Sequence, residues 1–136
     1  MKYYSTRDKS VRVSFREAVL NGIPLDKGLY YPEVIPKMDR SFIKELPNLS
    51  NEQIAFECIS KFSGDDIDDV SLKSIIAETI NFNFPCKELS DKISVLELFH
   101  GPTMAFKDVG ARFTSRVLSH FNISEKRKIT VLVATS

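Results

Sequence analysis

Leu98-Phe99-His100-Gly101-Pro102-Thr103-Met104-Ala105-Phe106-Lys107-Asp108-Val109-Gly110-Ala111-Arg112-Phe113 is the stretch on which the reading of this chain turns. An apolar strand pattern over 94–99 runs into it. Gly101-Pro102 breaks that pattern. A helix is expected over 108–121, with Val109, Phe113, Val117, Leu118 and Phe121 at helical spacing. A second apolar run, 129–135, reads as another strand, because buried parallel strands are near-continuous apolar segments. Strand, crossover helix and strand make a βαβ unit with parallel strands. In such sheets the functional groups lie beyond the carboxyl ends of the strands. Residues 100–107 and the pair Thr135–Ser136 both fall at that edge.

Lys107 stands out in this frame. It closes the strand-to-helix loop and sits at a helix N-terminus, whose partial positive charge disfavours an ammonium. A lysine there, if also desolvated, has a lowered pKa and more free amine. A free amine is what a Schiff base to an aldehyde requires. The residue types alone leave a plainer reading beside this one, a surface lysine near a helix start. Asp108 suits the first turn, where a carboxylate complements the dipole. His100 has the pKa of a proton carrier, but its place beside a Gly-Pro turn favours a structural role.

Upstream, the pattern is mainly helical. Residues 2–7 read as a short strand. Ser14 with Glu17 forms a capping box that starts a helix, and Gly22 stops it. Asp26 to Pro36 is a loop with an extended piece at 29–31. Ser41 opens a short helix that ends before Pro47. A second capping box, Ser50 with Gln53, starts a helix over 51–62 that sets Ile54, Cys58, Ile59 and Phe62 on one face. Gly64 ends it. The run Asp65-Asp66-Ile67-Asp68-Asp69 reads as a solvated turn, since it lacks the glycine and terminal glutamate of a calcium loop. A helix over 71–82 follows, with Leu72, Ile75, Ile76, Thr79 and Ile80 inward, and Pro85 closes it. The fold class is therefore α/β. Residues 1–92 form a mainly helical region with short strands, and residues 93–136 open an α/β domain.

Composition bounds the function. Apolar residues make up 43% and charged residues 27% of 136, an ordinary globular balance. With 19 basic and 18 acidic residues the net charge is +1, which leaves no electrostatic footprint for nucleic acid or a membrane surface. The cluster Lys126-Arg127-Lys128 reads as a solvated turn. No N-terminal apolar segment marks a signal peptide, and no apolar run approaches a membrane span. A cytoplasmic protein is expected. Cys58 and Cys86 match no metal or redox spacing, so no metal site is expected.

The string from Glu97 to Arg112, ELFHGPTMAFKDVGAR, closely resembles the pyridoxal-phosphate lysine motif of the threonine synthase family. The segments Tyr4-Ser5-Thr6-Arg7 and Val13 to Gly22 resemble that family's opening. Asp26-Lys27-Gly28-Leu29-Tyr30-Tyr31-Pro32-Glu33 resembles its Asp-Gly-Gly-Leu-Tyr-x-Pro-Glu element, with Lys27 in place of the first glycine. Val131 to Ser136 resembles the start of its Ala-Thr-Ser-Gly-Asp-Thr-Gly loop.

The resemblance implies a pyridoxal 5'-phosphate enzyme of the tryptophan-synthase-β-like fold type. Its expected reaction turns O-phosphohomoserine and water into threonine and phosphate by β,γ-elimination and replacement. Lys107 is implied as the Schiff-base lysine, Thr103 and Phe106 as part of the cofactor wall, and Thr135 and Ser136 as the start of a loop that holds the substrate carboxylate. A related phospho-lyase or dehydratase, and a non-catalytic truncated paralogue, stay open as alternatives. The five glycines are spread from Gly22 to Gly110 and form no phosphate cradle. Because the sequence stops directly after the apolar run and before the rest of that loop, the chain reads as an N-terminal fragment, and without a cradle it is expected to be inactive alone. An uncovered apolar strand at 129–135 is expected to make it self-associate.

Overall fold

The computed structural model describes residues 1–125 and 128–132. Its first element is a three-stranded antiparallel sheet. β1 (Lys2–Ser5) lies between β2 (Arg12–Ser14) and β3 (Tyr30–Pro32). Asp8 helps to shape the β1–β2 connection: its Oδ1 accepts the Ser10 amide at 2.9 Å and the Ser10 hydroxyl at 2.6 Å. An Asp side chain closing on its own backbone two residues on is a local turn device.

The helices start where the capping residues place them. α1 (Phe15–Asn21) begins with the reciprocal Ser14–Glu17 box, at 3.1 and 2.8 Å. Gly22 follows at φ 67°, a conformation that favours glycine. α2 (Arg40–Glu45) is one short piece with Asp39 at its N-cap, two residues ahead of the Ser41 start read from the sequence. α3 (Asn51–Ser63) carries the Ser50–Gln53 box and stops at Gly64, φ 58°. α4 (Asp69–Thr79) is capped by Asp68, whose Oδ1 accepts the Ser71 amide at 2.9 Å. It ends three residues before the sequence-based limit of 82.

Packing joins the two parts of the chain. Ile67, Leu72, Ile75 and Ile76 are buried against Val117 and Phe121, both 0% exposed on α5 (Lys107–Glu125). Phe15 meets Phe121 edge-on with ring centres 6.1 Å apart, and Tyr3 tilts onto Phe15 at 5.9 Å. The inward face expected for α4 is the one observed, with Leu72, Ile75, Ile76 and Thr79 all buried. Ile67 corrects the reading of the acidic run as wholly solvated. Its apolar side chain enters the core while Asp66 accepts the Arg16 amide at 3.0 Å. The Tyr3 hydroxyl donates to the Phe62 carbonyl at 2.9 Å.

Two arginines tie helix C-termini across long sequence separations. Arg112 donates to the Thr79 carbonyl at 3.0 Å and the Glu78 carbonyl at 2.6 Å, at the end of α4. Arg16 reaches the Ser124 hydroxyl at 2.5 Å and Glu125 at 2.8 Å, at the end of α5, with its guanidinium over the Phe121 ring. Unpaired carbonyls and the negative dipole end make helix C-termini good partners for cations.

The last third differs from the expected pairing. β5 is Ile93–Leu96, shorter than 94–99, and it pairs antiparallel with β4 (Cys86–Ser90). Residues 86–90 supply a neighbour across a two-residue turn, and antiparallel strands need no crossover. Residues 129–132 lie in neither sheet. Ile129 and Val131 instead share a cavity of about 200 Å³ with Leu118 and Ser115 of α5. The rest of the run read as a parallel strand, Val133 to Thr135, falls outside the described residues. Helices and small sheets together make the chain α/β.

Candidate active site

The loop between β5 and α5 is built inward from a single carboxylate. Asp108, the second residue of α5, is 4% exposed. Its Oδ2 accepts the Thr103 amide at 2.9 Å, and its Oδ1 accepts the Thr103 hydroxyl at 2.9 Å. The side chain therefore points back from the helix into the loop. Gly101 packs directly against it: a Cβ there would lie 2.5 Å from Oδ2. The backbone follows the same fold, with the Met104 amide donating to the Gly101 carbonyl at 3.0 Å and the Asp108 amide to Ala105 at 3.2 Å. Met104 sits at φ 54°, in the left-handed region.

Lys107 is the first residue of α5, as the loop pattern predicts, and its side chain is exposed. Among the described residues it forms no ion pair. An amine held at the mouth of a helix and free of carboxylates suits covalent attachment of an aldehyde cofactor. These residues alone leave the Lys107 side chain open to solvent. Phe106 is 77% and Met104 80% exposed, so an apolar surface flanks the lysine. Thr103 is at the surface with both its amide and hydroxyl hydrogens committed to Asp108. Thr135 and Ser136 lie outside the described residues.

His100 belongs to its own turn. Its Nε2 lies 2.7 Å from Glu97 Oε2, and its ring stacks on Phe99 with centres 4.7 Å apart. The Glu97 amide donates to the Pro85 carbonyl at 2.9 Å, which ties the start of this segment to the residue before β4.

A second polar network organises the N-terminal motifs. Ser5, 0% exposed, donates its hydroxyl to Asp26, with Oδ atoms at 2.6 and 2.8 Å. The Gly28 amide donates to Asp26 Oδ1 at 2.8 Å, and the Leu29 amide to Thr6 Oγ1 at 2.9 Å. The Ser5 hydroxyl, then the Gly28 amide, hold the Asp26 carboxyl below its ordinary range. Gly28 has no room for a side chain, since a Cβ would come 2.3 Å from Ser5 Oγ. Lys27 adopts φ 62°, the conformation that glycine accepts most readily.

Sequence reasoning did not find the roles of Asp108, Arg112 or the Ser5–Asp26 pair. Their partners lie outside any helical or strand period. A cavity of about 690 Å³ opens elsewhere, among Phe42, Leu49, Phe56 and Glu52 of the α2–α3 region, and includes none of the predicted site residues. Chemistry and cavity size disagree here. The loop before α5 is the better candidate, because it joins the exposed Lys107 amine to a loop hydrogen-bonded onto the buried Asp108. Among the described residues, no group of three or more His, Cys, Asp or Glu side chains is placed to hold a metal ion, and no helix is long and apolar enough to cross a membrane.

Comparison with known proteins agrees with the motifs. A family model described as the threonine synthase N terminus matches residues 2–80. The threonine synthase of Escherichia coli (strain K12) is 35% identical over 136 residues, which cover all of this chain and 31% of that protein. The crystal structure of threonine synthase from Escherichia coli superposes with a TM-score of 0.84 at 35% identity, over 89% of this chain and 28% of that one. A PLP-bound threonine synthase from Brucella melitensis gives a TM-score of 0.88 at 31% identity, over 94% of this chain and 29% of that one. The chain thus spans about 31% of the length of the first of these relatives. A match over more than half of its residues, in sequence and in fold, assigns it: the chain belongs to the threonine synthase family.

Proposed function

We propose that this chain is the N-terminal part of a pyridoxal 5'-phosphate-dependent threonine synthase, which converts O-phosphohomoserine and water to threonine and phosphate. One observation carries the proposal: an exposed lysine, Lys107, opens α5 at the end of a loop folded onto a buried carboxylate. Lys107 Nζ holds the cofactor covalently and, when released, moves protons at the α and β carbons of the substrate. The bound cofactor supplies an electron sink for carbanions. Phe106 and Thr103 line its wall, Phe106 through its exposed ring and Thr103 from a position fixed by Asp108. Thr135 and Ser136 open the loop that receives the substrate carboxylate.

Residues 93–136 begin the cofactor-binding domain in this reading, and residues 1–92 form the region that packs beside it. The partner is a small-molecule substrate, with no nucleic acid or membrane, in a cytoplasmic setting. Self-association of the isolated chain through 129–135 is part of the proposal, supported by the exposure of Val131 and Leu132. The decisive experiment is borohydride reduction of the intact protein with pyridoxal phosphate, followed by peptide mapping. The pyridoxyl group is expected on Lys107, and label on a different lysine overturns the assignment. Lys107→Ala is expected to abolish threonine formation, since attachment and proton transfer are lost together.

A further inference from the structure

We propose that Asp108 is the positioning residue of this site: its buried carboxylate shapes loop 101–106 and so fixes where Lys107 enters. This rests on the reading of Lys107 as the cofactor-holding lysine. A carboxylate is costly to bury unless it is hydrogen-bonded. Both side-chain bonds of Asp108 go to Thr103, at 2.9 Å each, five residues back and on the other side of Lys107. The first turn of α5 and the loop are thereby one unit, with Lys107 between its two anchors. Gly101 packs against the same carboxylate without room for a Cβ. Met104 adopts a left-handed backbone at φ 54° inside the same turn. Such a conformation persists where its surroundings over-determine it, and it clusters at functional sites.

Asp108 also adjoins Lys107 in the chain. Any displacement of the Asp108 anchor is passed to the Lys107 backbone. A displacement of about 1 Å at a reacting group can lower a rate on the order of a hundredfold. A residue that served stability alone would act differently. Its loss would lower the unfolding midpoint and leave the folded fraction fully reactive at Lys107.

The test uses the intact protein under native conditions. It compares the parent with Asp108→Asn, which keeps the volume but turns an amide NH2 toward one Thr103 donor. Three quantities are read: the rate of borohydride-trapped pyridoxal phosphate labelling at Lys107, amide hydrogen exchange at Thr103, and the urea midpoint. Labelling at Lys107 is expected to slow on the order of tenfold to a hundredfold, and Thr103 exchange to accelerate, while the protein stays folded. Gly110→Ala, on an open face of the same helix with nothing within 4 Å, is expected to label at the parent rate. Should Asp108→Asn fail to fold, Asp108→Glu carries the same test, since it keeps the charge but moves the carboxylate off the Thr103 amide and hydroxyl. Labelling of the folded variants at the parent rate overturns the proposal, as does a loss that merely tracks the unfolded fraction. Absence of label on Lys107 in the parent overturns the functional reading along with it, whereas a labelled parent with equally labelled variants overturns the proposal alone.

Discussion

Gly101→Ala is expected to destabilise the chain by about 3 kcal/mol, although no unusual backbone angle is involved. The new Cβ would lie 2.5 Å from Asp108 Oδ2, 2.9 Å from its Cβ and 3.0 Å from its Cγ. Ordinary contact begins near 3.4 Å, so the carboxylate has to retreat by almost 1 Å. Its bonds to the Thr103 amide and hydroxyl are both 2.9 Å long and do not survive that movement. Bonds to a charged group contribute about 1.5–3 kcal/mol each, and relaxation with water entry recovers part of the two. The assay is equilibrium urea unfolding followed by far-UV circular dichroism. Gly110→Ala is the control: in an open helical position it should stabilise by about 0.5–1 kcal/mol. In an Asp108→Ala background the same Gly101 substitution should cost only about 1 kcal/mol, because no carboxylate bonds are left to break. A Gly101→Ala chain within about 0.5 kcal/mol of the parent would refute the packing argument. So would an equal cost in both backgrounds.

Phe121→Ala should cost about 3–5 kcal/mol, since it empties the centre of the core and removes the ring beneath Arg16; a loss below about 1 kcal/mol by urea titration would contradict that core. Lys27→Gly should raise stability by up to about 1 kcal/mol, as relief of the left-handed backbone outweighs glycine's extra unfolded freedom. A lower melting temperature for that variant is the contrary result. Burial, and next the Asp66 carboxylate, push the Tyr3 phenol up from 10.0 to about 12. The folded chain therefore keeps a proton that the unfolded chain releases, and stability is expected to hold below pH 10 and fall as pH rises towards about 12. Urea midpoints across that range should decline less steeply for Tyr3→Phe, and matching slopes in the two proteins would exclude Tyr3 as the cause.

Local chemistry explains which parts of this fold are legible in the residues alone. Ser14 with Glu17 and Ser50 with Gln53 start helices because donor and acceptor lie three residues apart, whatever the rest of the chain does. The inward face of α4 follows from the helical repeat, and all four of its buried residues are found from spacing. Lys107 is legible for the same reason: a strand, a Gly-Pro break and a helix put it at a junction, and the surrounding string carries the family's motif.

Contacts between distant segments were settled only in the folded chain. β2 is three residues long and β4 lies exposed, so neither has a burial period to read; each exists because a partner strand lies across a turn. Ile67 hides in an acidic run whose carboxylates turn outward to a helix cap and the Arg16 amide while its own side chain turns in. Arg16 and Arg112 find helix ends 105 to 109 and 31 to 34 residues away. In the sequence Asp108 is a helix-start carboxylate. Only the path of loop 101–106, with Met104 turned left-handed and Gly101 bare, directs that carboxylate backwards onto Thr103. The sequence by itself determined the family, the starts of α1 and α3, and the place of Lys107 at the head of α5. Tertiary structure decided how that lysine is held, because hydrogen bonds across a loop depend on backbone conformation that no residue period encodes.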